Sequence, residues 1–316
     1  MDNKTPLLAA VLAIQLVLIA GLAVWRDDAG AADGGALLQF DRASIDAIRI
    51  TDDEQSVDIR RGTDGWQIGT DGALPADDAK IAGVLDKLAD AGAPWPVATT
   101  AASARRFEVA PDSFQRHVEL FTGDSLTAEL FLGTSPGFRK VHARRADDDA
   151  VYAVTLSNFE LPGASEEWLD KSLLQPDGPI KSVSILGWTL LHDAEGWRLA
   201  QLTADRTTHQ ERAGEVVEKV RNLRVLGVAD QQVVDLEAAF SMTLEDQMGQ
   251  HSLLFFQPEP DGEYLVTSSR WDGVFRVAMY AAEPLRVERA ELIALAPPAD
   301  AESTEEQLPT DAAPSG

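Results

Sequence analysis

The chain has 316 residues, no cysteine, and 52 acidic against 27 basic side chains, giving a formal net charge of −25 and a pI near 4.4. The cysteine count excludes a disulfide framework, a thiolate metal site and a cysteine nucleophile. The negative field opposes nucleic-acid phosphate, so no nucleic-acid partner is expected.

The first element is apolar. Residues 6–25, PLLAAVLAIQLVLIAGLAVW, carry no charge and a single amide, Gln15. Twenty helical residues rise roughly 30 Å, the thickness of a bilayer hydrocarbon core, so a transmembrane helix is expected here. Lys4 and the α-amino group precede the span, and Arg26-Asp27-Asp28 follows it. That weak positive-inside bias leaves residues 1–5 in the cytoplasm and the bulk of the chain outside it. The rival reading is a signal peptide cleaved after Ala29-Gly30-Ala31, although the apolar run exceeds the usual length of such a segment. Residues 26–39 read as a flexible Gly/Ala/Asp linker. Residues 297–316 hold five acids, four prolines and no base, and read as a disordered acidic tail.

Between linker and tail the pattern occurs twice, over 40–178 and 179–296. Thr63-Asp64-Gly65-Trp66-Gln67-Ile68 and Ala194-Glu195-Gly196-Trp197-Arg198-Leu199 share an acid-Gly-Trp hairpin signature. Alternating runs precede each copy: Ile45, Ile48 and Ile50 in the first, Val183, Ile185 and Leu190 in the second. A helix follows each, with Ile81, Val84, Leu85 and Leu88 on one face, then Ala213, Val216, Val217 and Val220 at the same spacing. Strands are expected over 117–121, 127–132, 140–145 and 151–155, then over 239–244, 251–257, 264–268 and 274–279. The predicted fold is α+β, with the transmembrane helix followed by two tandem β-β-α-β-β-β-β repeats of antiparallel sheet. Trp66 and Trp197 are expected as core anchors of their repeats.

These residues carry a resemblance. The apolar N-terminal span, the Asp64-Gly65-Trp66 hairpin, Phe107-Glu108-Val109-Ala110-Pro111, Phe131-Leu132-Gly133 and Trp168-Leu169-Asp170-Lys171-Ser172-Leu173-Leu174 resemble domain-of-unknown-function family 4340 over most of residues 40–290. Glu108 stands where the family usually has Gly, and Leu169 where it usually has Arg, so neither is treated as a site. The resemblance implies a bacterial inner-membrane protein facing the periplasm. It associates members with ABC-type export or gliding-motility auxiliary components, and implies no known catalytic residue.

Candidate chemistry is sparse. Gly133-Thr134-Ser135-Pro136-Gly137 fits the letters of a nucleophile elbow, but that motif needs a helix after it and a strand is expected. His117, His142, His192, His209 and His251 show no metal-ligand spacing, and each reads as a surface strand residue. Acid pairs such as Asp77-Asp78 and Glu166-Glu167 are adjacent in sequence at helix starts and turns, where solvent or the helix dipole accounts for them. No catalytic residue, cofactor or metal is expected. The possible interaction surface is Arg139, Lys140, Arg144 and Arg145, with Trp271 as the exposed aromatic. Alternation sets Lys140 and Arg144 on one strand face and Arg145 on the other, and pairing of the cluster with Asp147–Asp149 is the competing reading. The expected function is a non-catalytic, membrane-tethered interaction domain with a membrane or periplasmic protein partner, an accessory of an envelope or ABC-transporter-type complex. The alternative is a ligand-binding module with a pocket between the repeats for a small molecule, lipid or glycan fragment.

Overall fold

The structure, a computed structural model, describes residues 35–69 and 74–296. The expected transmembrane helix, most of the linker and the acidic tail lie outside the described residues. Among the described residues no helix is long and apolar enough to cross a membrane. The chain divides between Asp170 and Lys171 into two compact units. Both are mixed α+β with antiparallel sheets, as the alternation of apolar residues and the few helical periods imply.

In the first unit the strands are β1 (Ala47–Thr51), β2 (Ser56–Gly62), β3 (Gly65–Ile68), β4 (Leu74–Pro75), β5 (Val109–Ala110), β6 (Ser113–Phe114), β7 (Arg116–Thr122), β8 (Ser125–Leu132), β9 (Val141–Arg145) and β10 (Tyr152–Val154). Helix α1 spans Asp78–Asp90 and the short α2 spans Ala101–Arg106. Eight strands form one sheet in the order β10-β9-β8-β7-β1-β2-β3-β4, while β5 and β6 pair apart. Register stacks the apolar positions across the sheet. Ile48 faces Ile59 and Leu120, and Ile50 faces Val57 and Val118, so every second residue turns to the core. Between them Arg49 points the other way, 2.9 Å from Asp58. Helix α1 joins this core through Ile81, Val84, Leu85 and Leu88, the face expected from their spacing. Each such side chain contributes about 1.5–3 kcal/mol when fully buried. Asp77 caps the helix by accepting from the Lys80 amide at 2.9 Å.

The second unit contains β11 (Ser182–Ile185), β12 (Trp188–Asp193), β13 (Gly196–Leu199), β14 (Arg206–Thr208), β15 (Val225–Val228), β16 (Phe240–Asp246), β17 (Gly249–Phe256), β18 (Tyr264–Ser268), β19 (Val274–Val277) and β20 (Ile293–Leu295). Helices α3 (Gln210–Arg221) and α4 (Met279–Ala282) complete it. Its sheet runs β13-β12-β11-β16-β17-β18-β19-β15, and β14 pairs with β20. Here Val183 faces Leu190 and Leu244, and Ile185 faces Trp188 and Met242. Ala213, Val216, Val217 and Val220 are the buried face of α3, again as their spacing implies.

One local device occurs in both units. Gly65 takes φ +125° ahead of Trp66, whose amide donates to the Asp78 carboxylate at 2.8 Å. Gly196 takes φ +119° ahead of Trp197, whose amide donates to the Gln210 side-chain oxygen at 3.1 Å. Each hairpin is thereby tied to the first residue of the following helix. The two indoles differ, which corrects an expectation. Trp66 is buried beneath the Arg61 guanidinium, whereas Trp197 is half-buried and leans on exposed His192. The core tryptophans of the second unit's first sheet strands include Trp188 instead, whose indole donates to the Val287 carbonyl at 2.8 Å.

Candidate functional site

The site is assembled at the end of the β8–β9 hairpin, and its base is built from residues of the sequence resemblance. Gly133 leaves β8 against the backbone of Phe107 and Glu108; a Cβ there would lie 2.0 Å from the Phe107 carbonyl oxygen. Only glycine permits that approach. Glu108 itself holds φ +57°, a left-handed conformation that glycine adopts more readily than glutamate. Thr134 continues the clamp, donating its amide to the Phe107 carbonyl at 2.9 Å. Its hydroxyl meets Nδ1 of His142 at 2.9 Å, and the His142 ring stacks on Phe107 at 4.1 Å. The Arg106 guanidinium lies 4.6 Å from the centroid of the same phenyl ring. Burial holds the His142 imidazole below its ordinary value; hydrogen bonding with the Thr134 backbone opposes the shift and the Arg106 charge adds to it.

Asn158 ties a second segment to this base, donating to the Gln115 side-chain oxygen at 2.6 Å and to the Gly133 carbonyl at 2.9 Å. Phe159, next along, is 92% exposed.

Above the base the loop is short and ordered. The Ser135 hydroxyl is shared between the carbonyl oxygens of Gly137 and Lys140, at 2.8 and 2.7 Å, and so closes the turn. Ser135 is therefore a turn residue, and β9 follows, so the helix that a nucleophile elbow requires is not there. At the tip Phe138 is 88% exposed, with the Arg139 guanidinium 5.1 Å from its ring centroid. Arg139 holds φ +52°. A non-glycine residue in that conformation carries a cost of about 1–2 kcal/mol, which glycine would avoid. Among the described residues neither Arg139, Lys140 nor Arg106 has a carboxylate partner, whereas neighbouring Arg105 is paired with Asp112 at 2.9 Å.

The structure separates the expected basic cluster. Arg139 and Lys140 sit together on the tip. Arg144 does not share their surface: it is 6% exposed, donating to the carbonyls of Val109, Arg145 and Asp148 and lying 4.9 Å over Phe131. Strand alternation grouped Arg144 with Lys140 and could not show that Arg144 is buried beside a satellite core of Ala104, Val109, Ala110, Phe131 and Val151. Arg145, half-buried, pairs with Asp147 at 3.0 Å and Asp148 at 3.4 Å, as the competing reading held. Trp271 is also corrected, because its ring is half-buried and its indole donates to the Leu173 carbonyl at 2.9 Å. Among the described residues the strongly exposed aromatics are Phe138, Phe159, Tyr280 and Trp95. Phe138 falls between the strands expected over 127–132 and 140–145, and nothing in the sequence pattern marks it.

Two histidines expected at the surface are buried, His142 here and His251 in the second unit. His251 belongs to a polar cluster that sequence spacing does not reveal. Asp246, wholly buried at the end of β16, accepts from the amides of Asp177 and Met248 at 2.9 and 2.8 Å and from Arg270 at 3.0 Å. Burial pushes its carboxyl up, but those donors outweigh it and leave the group below the usual carboxylate range. Burial and the Arg270 charge hold His251 low, against the pull of Asp246. Nε2 of His251 has no partner in the structure. Among the described residues no three acids or histidines gather as a metal-ligand group. A cavity of about 370 Å³ lies between Leu38, Gln39, Leu126–Glu129 and Arg145–Asp147, but its one cation is the Arg145 already paired with Asp147.

Comparison with known proteins adds one match. No curated protein and no solved structure matches the chain. The family model described as Domain of unknown function (DUF4340) matches residues 66–239, from the tied Trp66 hairpin through both helix-bearing tracts to the start of β16. That match spans more than half of the 316 residues, and the chain belongs to this family.

Proposed function

We propose that the chain is a non-catalytic, membrane-tethered interaction domain held outside the cytoplasm, an accessory component of an envelope or ABC-transporter-type complex. The observation that carries this reading is the β8–β9 tip. An almost fully exposed phenylalanine and two cations that have no carboxylate partner among the described residues stand on a base tied together by Gly133, Thr134, His142 and Asn158. A surface of that kind is suited to contact rather than to turnover. The uncharged run at 6–25 supplies the tether, and confinement near the bilayer raises the effective concentration of a membrane-bound partner without a tight interface.

We also read the two units as copies of one ancestral unit. Supporting this, β3-β2-β1-β7-β8-β9-β10 and β13-β12-β11-β16-β17-β18-β19 follow the same order, and the Gly–Trp hairpin is tied to the next helix in both.

A C-terminal alkaline phosphatase fusion tests the placement: it should be active and remain with the membrane. An inactive fusion would reverse the topology, and a soluble active one would show cleavage. Exporting the chain without residues 1–26 behind a cleavable signal should abolish complementation of a deletion strain. Full complementation at normal abundance would make tethering irrelevant.

A further inference from the structure

We infer that the β8–β9 tip is a docking site for an acidic peptide segment of a protein partner, with Arg106, Arg139 and Lys140 taking carboxylates and Phe138 an apolar side chain. This rests on the interaction-domain reading above and names the chemistry of its partner.

Three observations converge. The first is local charge. The whole chain carries −25, yet residues 133–142 contain Arg139 and Lys140 and no acid, and Arg106 lies over the Phe107 ring on which His142 stacks. Charges beyond about 8 Å are largely screened at physiological ionic strength. A narrow peptide reaching only the tip therefore meets a positive field, whereas an extended polyanionic surface such as a membrane also meets the negative remainder.

The second is position. Leu38 and Gln39, where the described chain comes in from its N-terminal side, border a cavity with Leu126–Glu129 and Arg145–Asp147. The tip lies at the other end of the same hairpin. At about 3.3 Å per residue, Ala128 to Leu132 alone spans roughly 13 Å, and the loop extends beyond. The basic end and the cavity beside Leu38 and Gln39 thus lie at opposite ends of the hairpin, so a partner at the tip need not displace the residues that line the cavity.

The third is strain. Arg139 occupies φ +52° at the tip. An unfavourable conformation kept at an exposed loop position points to a use for the side chain. The guanidinium is set over Phe138, so charge and apolar surface are offered together.

The test uses the full-length chain in nanodiscs of uncharged phosphatidylcholine. The probe is a fluorescein-labelled peptide of repeating Glu-Asp-Leu, with a Lys-Lys-Leu counterpart as control, read by fluorescence anisotropy. The acidic peptide should bind and the basic one should not, and affinity should fall about tenfold or more between low and high salt, as for association dominated by charge. R139G/K140S should lose at least about tenfold in affinity, equivalent to roughly 1.4 kcal/mol. Because glycine adopts a positive φ freely, R139G alone should keep or raise the melting temperature, so loss of binding cannot be ascribed to unfolding. In a parallel arm the nanodisc-held chain is floated with phosphatidylglycerol vesicles and should stay behind. Absence of peptide binding, binding unaffected by R139G/K140S, or flotation that this variant abolishes would each overturn the inference. Those outcomes leave the phosphatase-fusion result untouched, so a failed tip and a failed topology are told apart.

Discussion

Two glycine-to-alanine changes in the first unit should move stability in opposite directions. Gly133→Ala places a methyl 2.0 Å from the Phe107 carbonyl oxygen and 2.4 Å from that of Glu108. Carbon–oxygen contacts normally begin at about 3.3 Å, so the backbone must part by about an ångström. Overpacking costs typically about 1–3 kcal/mol. The shift also breaks the 2.9 Å bond from the Thr134 amide to the Phe107 carbonyl, and a half-buried unsatisfied pair adds about 1–3 kcal/mol. Reduced unfolded-state entropy returns only about 0.4–1 kcal/mol, so a net loss of about 2–4 kcal/mol is expected. Gly83 lies inside α1 with nothing within 4 Å of where its Cβ would be. There alanine should add about 0.5–1 kcal/mol through helix propensity. Urea unfolding of the full-length chain in uncharged detergent, followed by tryptophan fluorescence, reads both. With a slope of about 2 kcal/mol per molar urea, Gly133→Ala should lower the midpoint by about 1–2 M. An unchanged midpoint for Gly133→Ala, or equal losses for both variants, would refute the close-approach argument.

Arg144→Met should cost about 2–4 kcal/mol in the same assay, because three backbone carbonyls lose their donor, while Arg145→Met, removing a half-exposed pair, should cost less than about 1 kcal/mol. Trp66→Ala should cost about 3–5 kcal/mol and Trp197→Ala distinctly less, since only the first ring is buried; equal costs would argue against that difference. His142 and His251 are both held below the free imidazole value, so their neutral forms favour the folded state. That contribution is complete above about pH 6.5 and is lost as pH falls through their lowered folded values, so the urea midpoint should decline between pH 7.5 and 5. The Asp246 carboxyl, also held low, adds its loss only in more acidic solution. A flat midpoint across the first window would contradict the burial of the two imidazoles.

Helices α1 and α3 and most strands were legible because their signals are periodic. Ile81, Val84, Leu85 and Leu88 can share a helical face in only one way, and the same holds for Ala213, Val216, Val217 and Val220. Strands β7, β8, β16 and β17 follow alternation bounded by Gly123 and Gly249, each at positive φ. The short pieces were not legible. Helix α2, the β5–β6 pair and the β15 strand beside β19 carry too few residues to show a period, and neighbours made late in the chain decide them. Burial of single polar residues was hidden for the same reason. Nothing beside Arg144 or His251 in sequence announces Val109 above the one or Asp246 and Arg270 beside the other.

The residues that carry the family resemblance turn out to hold the scaffold. Gly65 and Trp66 tie the hairpin to α1, Glu108 adopts a left-handed turn, Gly133 lets two backbones meet, and Trp168 is buried with its indole donating to the Pro162 carbonyl. Such positions identify a fold and say little about a partner. Phe138-Arg139-Lys140 stands between two of the fixed points, Gly133 and His142, without bearing on either core. Replacing the three by Asn-Gly-Ser therefore separates the roles. Exposed substitutions away from caps and cores change stability by no more than about 0.5 kcal/mol. In a chain of this size that is a shift of about 1–2 °C in melting temperature, with relief of the Arg139 backbone conformation acting upwards. F138N/R139G/K140S should thus melt within about 2 °C of the parent, by the same size argument, and lose binding of the acidic probe. A drop of many degrees would make the tip part of the fold, and its exposed phenylalanine and cations would need a structural explanation instead.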